Sequence, residues 1–110
     1  MPKIRLLGAA LIVVSAVVAA ADPTPAKEAP TVVEIHNMRF IPVTLTVPAG
    51  TKVTWVNEDG TPHTVTDKGD VFHSALLDKK GSFSYTFASP GEFAYFCTIH
   101  PMMVGKIVVK

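Results

Sequence analysis

The stretch Gly81-Ser82-Phe83-Ser84-Tyr85-Thr86-Phe87-Ala88-Ser89-Pro90-Gly91-Glu92-Phe93-Ala94-Tyr95-Phe96-Cys97 decides the fold. Phe83, Tyr85 and Phe87 alternate with Ser82, Ser84 and Thr86. That is the period of two expected of a half-buried strand, whose successive side chains point to opposite faces. Ser89-Pro90-Gly91 then reads as a turn, and Glu92 to Cys97 as a second aromatic-rich strand. Upstream, Val43-Thr44-Leu45-Thr46-Val47 alternates in the same way, Pro48-Ala49-Gly50 turns the chain, and Lys52-Val53-Thr54-Trp55-Val56 follows. Val32, Val33 and Ile35 begin a first strand, and Asn57 to Pro62 is a polar loop. His63 to Thr66 reads as a brief strand, Asp67 to Lys80 as a loop, and a last strand runs from Gly105 or Lys106 to Val109. No segment of this part has helical periodicity. About seven or eight short strands separated by turn signals predict an all-β fold, a Greek-key β-sandwich.

This strand-rich part spans residues 31–110, the length of one domain. Residues 22–30 hold Pro23, Pro25 and Pro30 among Ala, Lys and Glu, an extended linker by composition. Residues 1–21 begin with Lys3 and Arg5 and continue as an uncharged apolar run ending in Ala19-Ala20-Ala21. The run is short for a spanning helix of about 20 residues and has the layout of a secretory signal peptide. An uncleaved anchor helix or a buried helix is the competing reading. Cleavage after Ala21 predicts an exported chain with no stable membrane insertion.

Cleavage also changes the charge. The chain has 10 Lys+Arg and 9 Asp+Glu; removal of Lys3 and Arg5 leaves 8 against 9, a formal −1. No basic face remains that is large enough for a phosphate backbone, which excludes nucleic acid as a partner. Trp55, six Phe and two Tyr are enough aromatic side chains for a core and exclude a disordered body.

Cys97 is the single cysteine. A lone thiol in an oxidising compartment is a liability unless it is buried, paired between chains or bound to something. Directly after it, Cys97, His100 and Met103 stand at spacing C-x2-H-x2-M, and His63 follows Pro62 at the end of the polar loop. In a sandwich the end of the His63 strand can lie beside the end of the Cys97 strand. One thiolate, two imidazoles and one thioether make the donor set of a type 1 copper centre, with a His2Cys plane and a weak axial Met. A thioether adds little to a zinc site, which takes thiolates, imidazoles and carboxylates. Met102 is an alternative source of the thioether. His36 and His73 read as surface residues and offer no second site.

Val53-Thr54-Trp55-Val56-Asn57 with Pro62-His63-Thr64-Val65 resembles the cupredoxins of the plastocyanin/azurin family. The closing run Tyr95-Phe96-Cys97-Thr98-Ile99-His100-Pro101-Met102-Met103 with Gly105-Lys106-Ile107-Val108-Val109 is most similar to the amicyanin branch, whose ligand loop is short. The resemblance covers about residues 31 to 110. It implies an eight-stranded or similar sandwich with one copper ion held by His63, Cys97, His100 and Met103, and it selects Met103 over Met102. It further implies a small periplasmic carrier, expected as a monomer, that passes single electrons between redox proteins. An amine dehydrogenase-type donor and a c-type cytochrome acceptor are the partners implied. Two departures stand out. The family generally has Asn directly after the first His, where this chain has Thr64, so the backbone N–H to the Cys sulfur is expected to persist while the side-chain tether changes. Phe96 has the opposite strand parity from Phe93, Tyr95 and Cys97, and is expected to face outward or lie under a loop.

Three other readings compete. An oxidase or reductase couples a blue site to a second copper centre with several further histidines, and His36 and His73 alone do not make one; the chain is read as no enzyme. A copper-binding or delivery protein without electron transfer is the alternative function, favoured by Met38, Met102 and Met103 but opposed by a rigid sandwich with one Cys. A purely structural sandwich leaves Cys97 unexplained.

Overall fold

The computed structural model describes residues 31–110, so the leader and linker readings lie outside the described residues. Eight strands follow one another: β1 Val32–His36, β2 Arg39–Ile41, β3 Thr44–Val47, β4 Thr51–Asn57, β5 Thr66–Asp67, β6 Ser82–Phe87, β7 Gly91–Cys97 and β8 His100–Val109. They form two four-stranded sheets, one ordered β2-β1-β4-β6 and the other β3-β8-β7-β5. β1 runs parallel to β4 and β3 parallel to β8, while the other pairs are antiparallel. The expected all-β sandwich is therefore the observed architecture.

The period-two pattern fills the space between the sheets. Val33, Ile35, Val53, Trp55 and Phe87 from one sheet meet Leu45, Val47, Tyr95, Cys97, Met103, Ile107 and Val109 from the other. Trp55 sits at the centre, its ring 5.4 Å from Tyr95 in an edge-on arrangement and 5.6 Å from Phe72. Each such fully buried large side chain stabilises the fold by roughly 1.5–3 kcal/mol over an exposed one. Phe83, Tyr85 and Phe93 pack only partly against this core; the first two belong to β6, an edge strand. Phe40 and Phe72 are core residues that the pattern reading does not identify, because they lie on a three-residue strand and in a loop.

Two segments differ from expectation, each for a hydrogen-bonding reason. His63 to Thr66 is not a continuous strand. His63 exchanges backbone hydrogen bonds with Leu77, at 3.1 and 2.7 Å, and the Val65 N–H donates to Ser74 Oγ at 2.9 Å. Regular pairing begins only at Thr66 and stops at Asp67, whose Oδ2 accepts the N–H groups of Gly69 and Val71 and bends the chain away. The last strand begins at His100 rather than Gly105, because β8 pairs with β7 back to the level of Cys97 opposite His100. Gly105 lies opposite Tyr95 in this pair, and a Cβ at 105 would run into the Tyr95 ring.

Candidate metal centre

Cys97 ends β7 and His100 opens β8, so the C-x2-H spacing is a two-residue turn, Thr98-Ile99, that brings the two side chains to one place. Beyond it, strand parity separates the two methionines. Met103, Gly105, Ile107 and Val109 face inward, while Met102 is 92% exposed. Phe96, of the opposite parity to Tyr95 and Cys97, is only partly buried. His63 reaches the same place from the connection between β4 and β5 and is fully buried.

One donor atom from each of His63, Cys97 and His100 falls within a sphere of 4.8 Å separation. The His63 and His100 Nδ1 atoms stand 3.8 and 3.7 Å from Cys97 Sγ. Two donors of one trigonal ion with metal–sulfur and metal–nitrogen bonds of about 2.3 and 2.0 Å would lie about 3.7 Å apart. The spacing therefore fits one small metal ion between these three atoms. Met103 is 5% exposed and lines the same region as His100.

The surroundings orient these donors. His63 Nε2–H donates to Asp59 Oδ2 at 2.9 Å, which leaves Nδ1 with its lone pair free towards Cys97. Asp59 also accepts the N–H groups of Asn37 at 2.8 Å and Met38 at 3.0 Å. Burial alone would raise the Asp59 carboxyl, but the donors from Met38, His63 and Asn37 outweigh it and hold the group below its usual value. Asn57, fully buried, fixes the loop that carries Asp59. Its amide donates to Thr61 and Leu77 carbonyls at 3.0 and 2.9 Å, and its Oδ1 accepts the Asp59 N–H at 2.9 Å.

The Thr64 N–H donates to Cys97 Sγ at 3.3 Å, so the backbone bond expected at this position is present. Thr64 Oγ1 in turn accepts the Thr98 N–H at 2.8 Å and lies 2.9 Å from Thr98 Oγ1, a hydroxyl pair that ties the two halves of the centre together. Asp59 and Thr98 are contributions that sequence reasoning misses, and for Met38 it misses the backbone bond to Asp59. Asp59 and Met38 lie in turns with no periodicity, and nothing in their spacing pairs them. His36 and His73 stand apart from the cluster, and His73 is exposed beside Asp70.

This set of one thiolate, two imidazoles and one thioether fits one copper ion, since a thioether matches copper and contributes little to zinc. The comparisons with known proteins agree. A model of the cupredoxin-like domain matches residues 8–109. Amicyanin of Paracoccus versutus is 39% identical over 98 residues, covering 84% of this chain and 72% of that protein. Amicyanin-alpha of Methylorubrum extorquens is 36% identical over 105 residues, covering 87% of each. The crystal structure of Paracoccus versutus amicyanin superimposes with a TM-score of 0.67 at 36% identity, covering 79% of this chain and 85% of that one. With this fold, this donor set and these relatives, the chain belongs to the cupredoxins and is most like amicyanin.

Proposed function

We propose that the protein is a type 1 copper electron carrier, with His63, Cys97 and His100 as equatorial ligands and Met103 as the weak axial one. The observation that carries this reading is the convergence of the three donor atoms of His63, Cys97 and His100 within 4.8 Å, beside the inward-facing Met103. Copper supplies a one-electron Cu(I)/Cu(II) couple when bound. The chain's part is to hold the donors still: Asp59 fixes the His63 ring, Thr64 N–H stabilises the Cys97 thiolate, and two sheets keep both ends in register. A site that changes little between oxidation states exchanges electrons with little rearrangement.

The leader composition supports export, and the amicyanin likeness supports a periplasmic monomer between an amine dehydrogenase-type donor and a c-type cytochrome acceptor. The surface around His100, with Pro101 and Met102, is the proposed docking face and electron port. The domain boundaries proposed are a leader at 1–21, a linker at 22–30 and the copper domain at 31–110. No catalytic group is assigned, and the protein is read as a carrier and not an enzyme.

The test is the visible and EPR spectrum of the purified protein with one equivalent of Cu(II). An intense blue thiolate-to-copper band with a narrow copper hyperfine splitting is expected. Cys97→Ser is expected to lose the band and Met103→Ala to alter it. A colourless protein, or a pale one with an ordinary tetragonal signal, would sink the reading.

A further inference from the structure

The inner donors are closed off from solvent: His63 and Cys97 are fully buried and Met103 is 5% exposed. His100 is the member of the quartet that is partly exposed, so an ion that enters the centre passes its ring. Around that ring lies a groove of about 430 Å³ lined by Met38, Ile99, His100, Pro101, Met102 and Met103. Met38 and Met102, two of these residues, are methionines outside the quartet, 41% and 92% exposed. Position 102 points outward by strand parity, so core packing does not account for a methionine there.

Met38 is placed with equal specificity. Its φ is 60°, a left-handed conformation uncommon for a residue other than glycine. Its N–H donates at 3.0 Å to Asp59 Oδ2, the same oxygen that accepts from His63 Nε2. One carboxylate thus orients an inner imidazole and holds the turn that presents Met38 to the groove.

A docking surface for a protein needs only apolar area, which leucine supplies as well as methionine. Thioethers add something leucine lacks, a soft donor suited to Cu(I). Resting on the copper reading above, we propose that Met38 and Met102, together with His100, form an acquisition port that takes up Cu(I) at the rim and hands it to the buried donors. The transfer is ligand exchange without redox change. Bonds to the rim thioethers break as bonds to Cys97 Sγ, the two Nδ1 atoms and Met103 form. The Cys97 S–H bond breaks and its proton leaves to bulk water, so one positive charge enters and one departs. His100 serves both sets and keeps the ion ligated during its passage.

The test compares the wild type with Met38→Leu/Met102→Leu, which keeps apolar volume and removes both thioethers. The apoprotein is mixed anaerobically with one equivalent of Cu(I) on a weak coloured chelator, and the loss of chelate colour is followed by stopped flow. Loading is expected to slow about tenfold in the variant, while loading from aqueous Cu(II) proceeds at the wild-type rate and ends in the same blue spectrum. Equal Cu(I) rates would overturn the port. So would an equal slowing with Cu(II), since rim packing and not soft ligation would then set the rate.

A second measurement adds one equivalent of Cu(I) to the Cys97→Ser apoprotein, which lacks the inner thiolate and leaves His100 free for the rim, and reads the methionine ε-methyl NMR signals. Met38 and Met102 are expected to shift; no shift at the rim overturns the proposal. A wild type that forms no blue centre with Cu(II) would instead defeat the copper reading itself, which separates the two failures.

Discussion

Asp59 ties the His63 imidazole to the turn of Asn37 and Met38. Its carboxylate receives three donors from two different parts of the chain. Asp59→Asn keeps the shape but turns one end of the side chain into a donor facing other donors. Stability is expected to fall by about 1–3 kcal/mol, and copper to be released roughly 10–100-fold more readily; urea denaturation and chelator competition check the two effects. Tyr95 makes a pH-dependent contribution. Burial pushes its hydroxyl up to about 12 from an ordinary 10.0. Between these values the unfolded chain ionises and the folded chain does not, so the stability present below pH 10 is lost as pH rises towards 12. The loss is at most about 3 kcal/mol at 1.36 kcal/mol per unit. Tyr95→Phe is expected to remove that part of the alkaline slope, read as the difference between denaturation curves at pH 9 and pH 12. An unchanged slope would place the alkaline sensitivity in other groups.

At the level of the elements, the β7–β8 hairpin carries the most information. Its two-residue turn converts a sequence spacing into a convergence of Cys97 and His100, and its inward parity continues through Met103 to Val109. The hairpin accepts the Tyr95 ring across from position 105 only because that position is glycine. Gly105→Ala is expected to force that ring aside and cost about 1–3 kcal/mol. Gly60→Ala, with nothing near the added carbon, is the matched control and is expected to change stability by less than about 0.5 kcal/mol. Thermal melts of the two variants check this. Equal effects would mean that the hairpin has room to relax around Tyr95.

Across the whole molecule, the near-neutral charge and the apolar groove beside His100 bear on the proposed docking of a redox partner. With a formal charge of +1 for the full chain, or −1 under the proposed cleavage, long-range steering is weak. Electron transfer to the proposed c-type cytochrome acceptor is expected to depend little on ionic strength and strongly on the apolar rim. Met102→Lys is expected to lower the second-order rate by about tenfold, the effect of disturbing one well-placed contact residue. Stopped-flow mixing over a range of salt concentrations measures both, and an unchanged rate for the variant would remove this face from the docking surface.

The all-β class was legible in the sequence because strand parity is local: Phe83, Tyr85 and Phe87 alternate with small polar residues whatever else the chain does. The convergence of His63, Cys97 and His100 was legible because Cys97 and His100 flank one short turn and His63 follows a proline-marked loop. The tertiary structure alone decided what depends on long-range partners. His63 to Thr66 is no continuous strand because its hydrogen bonds go to Leu77 and Ser74, which no local pattern announces. Phe72 joins the core from a loop because Trp55 lies within reach of it, and Asp59 and Met38 become part of the centre because two turns far apart in sequence share one carboxylate. Periodicity records which face of a strand is buried, and it holds no record of which loops meet at the end of a sandwich.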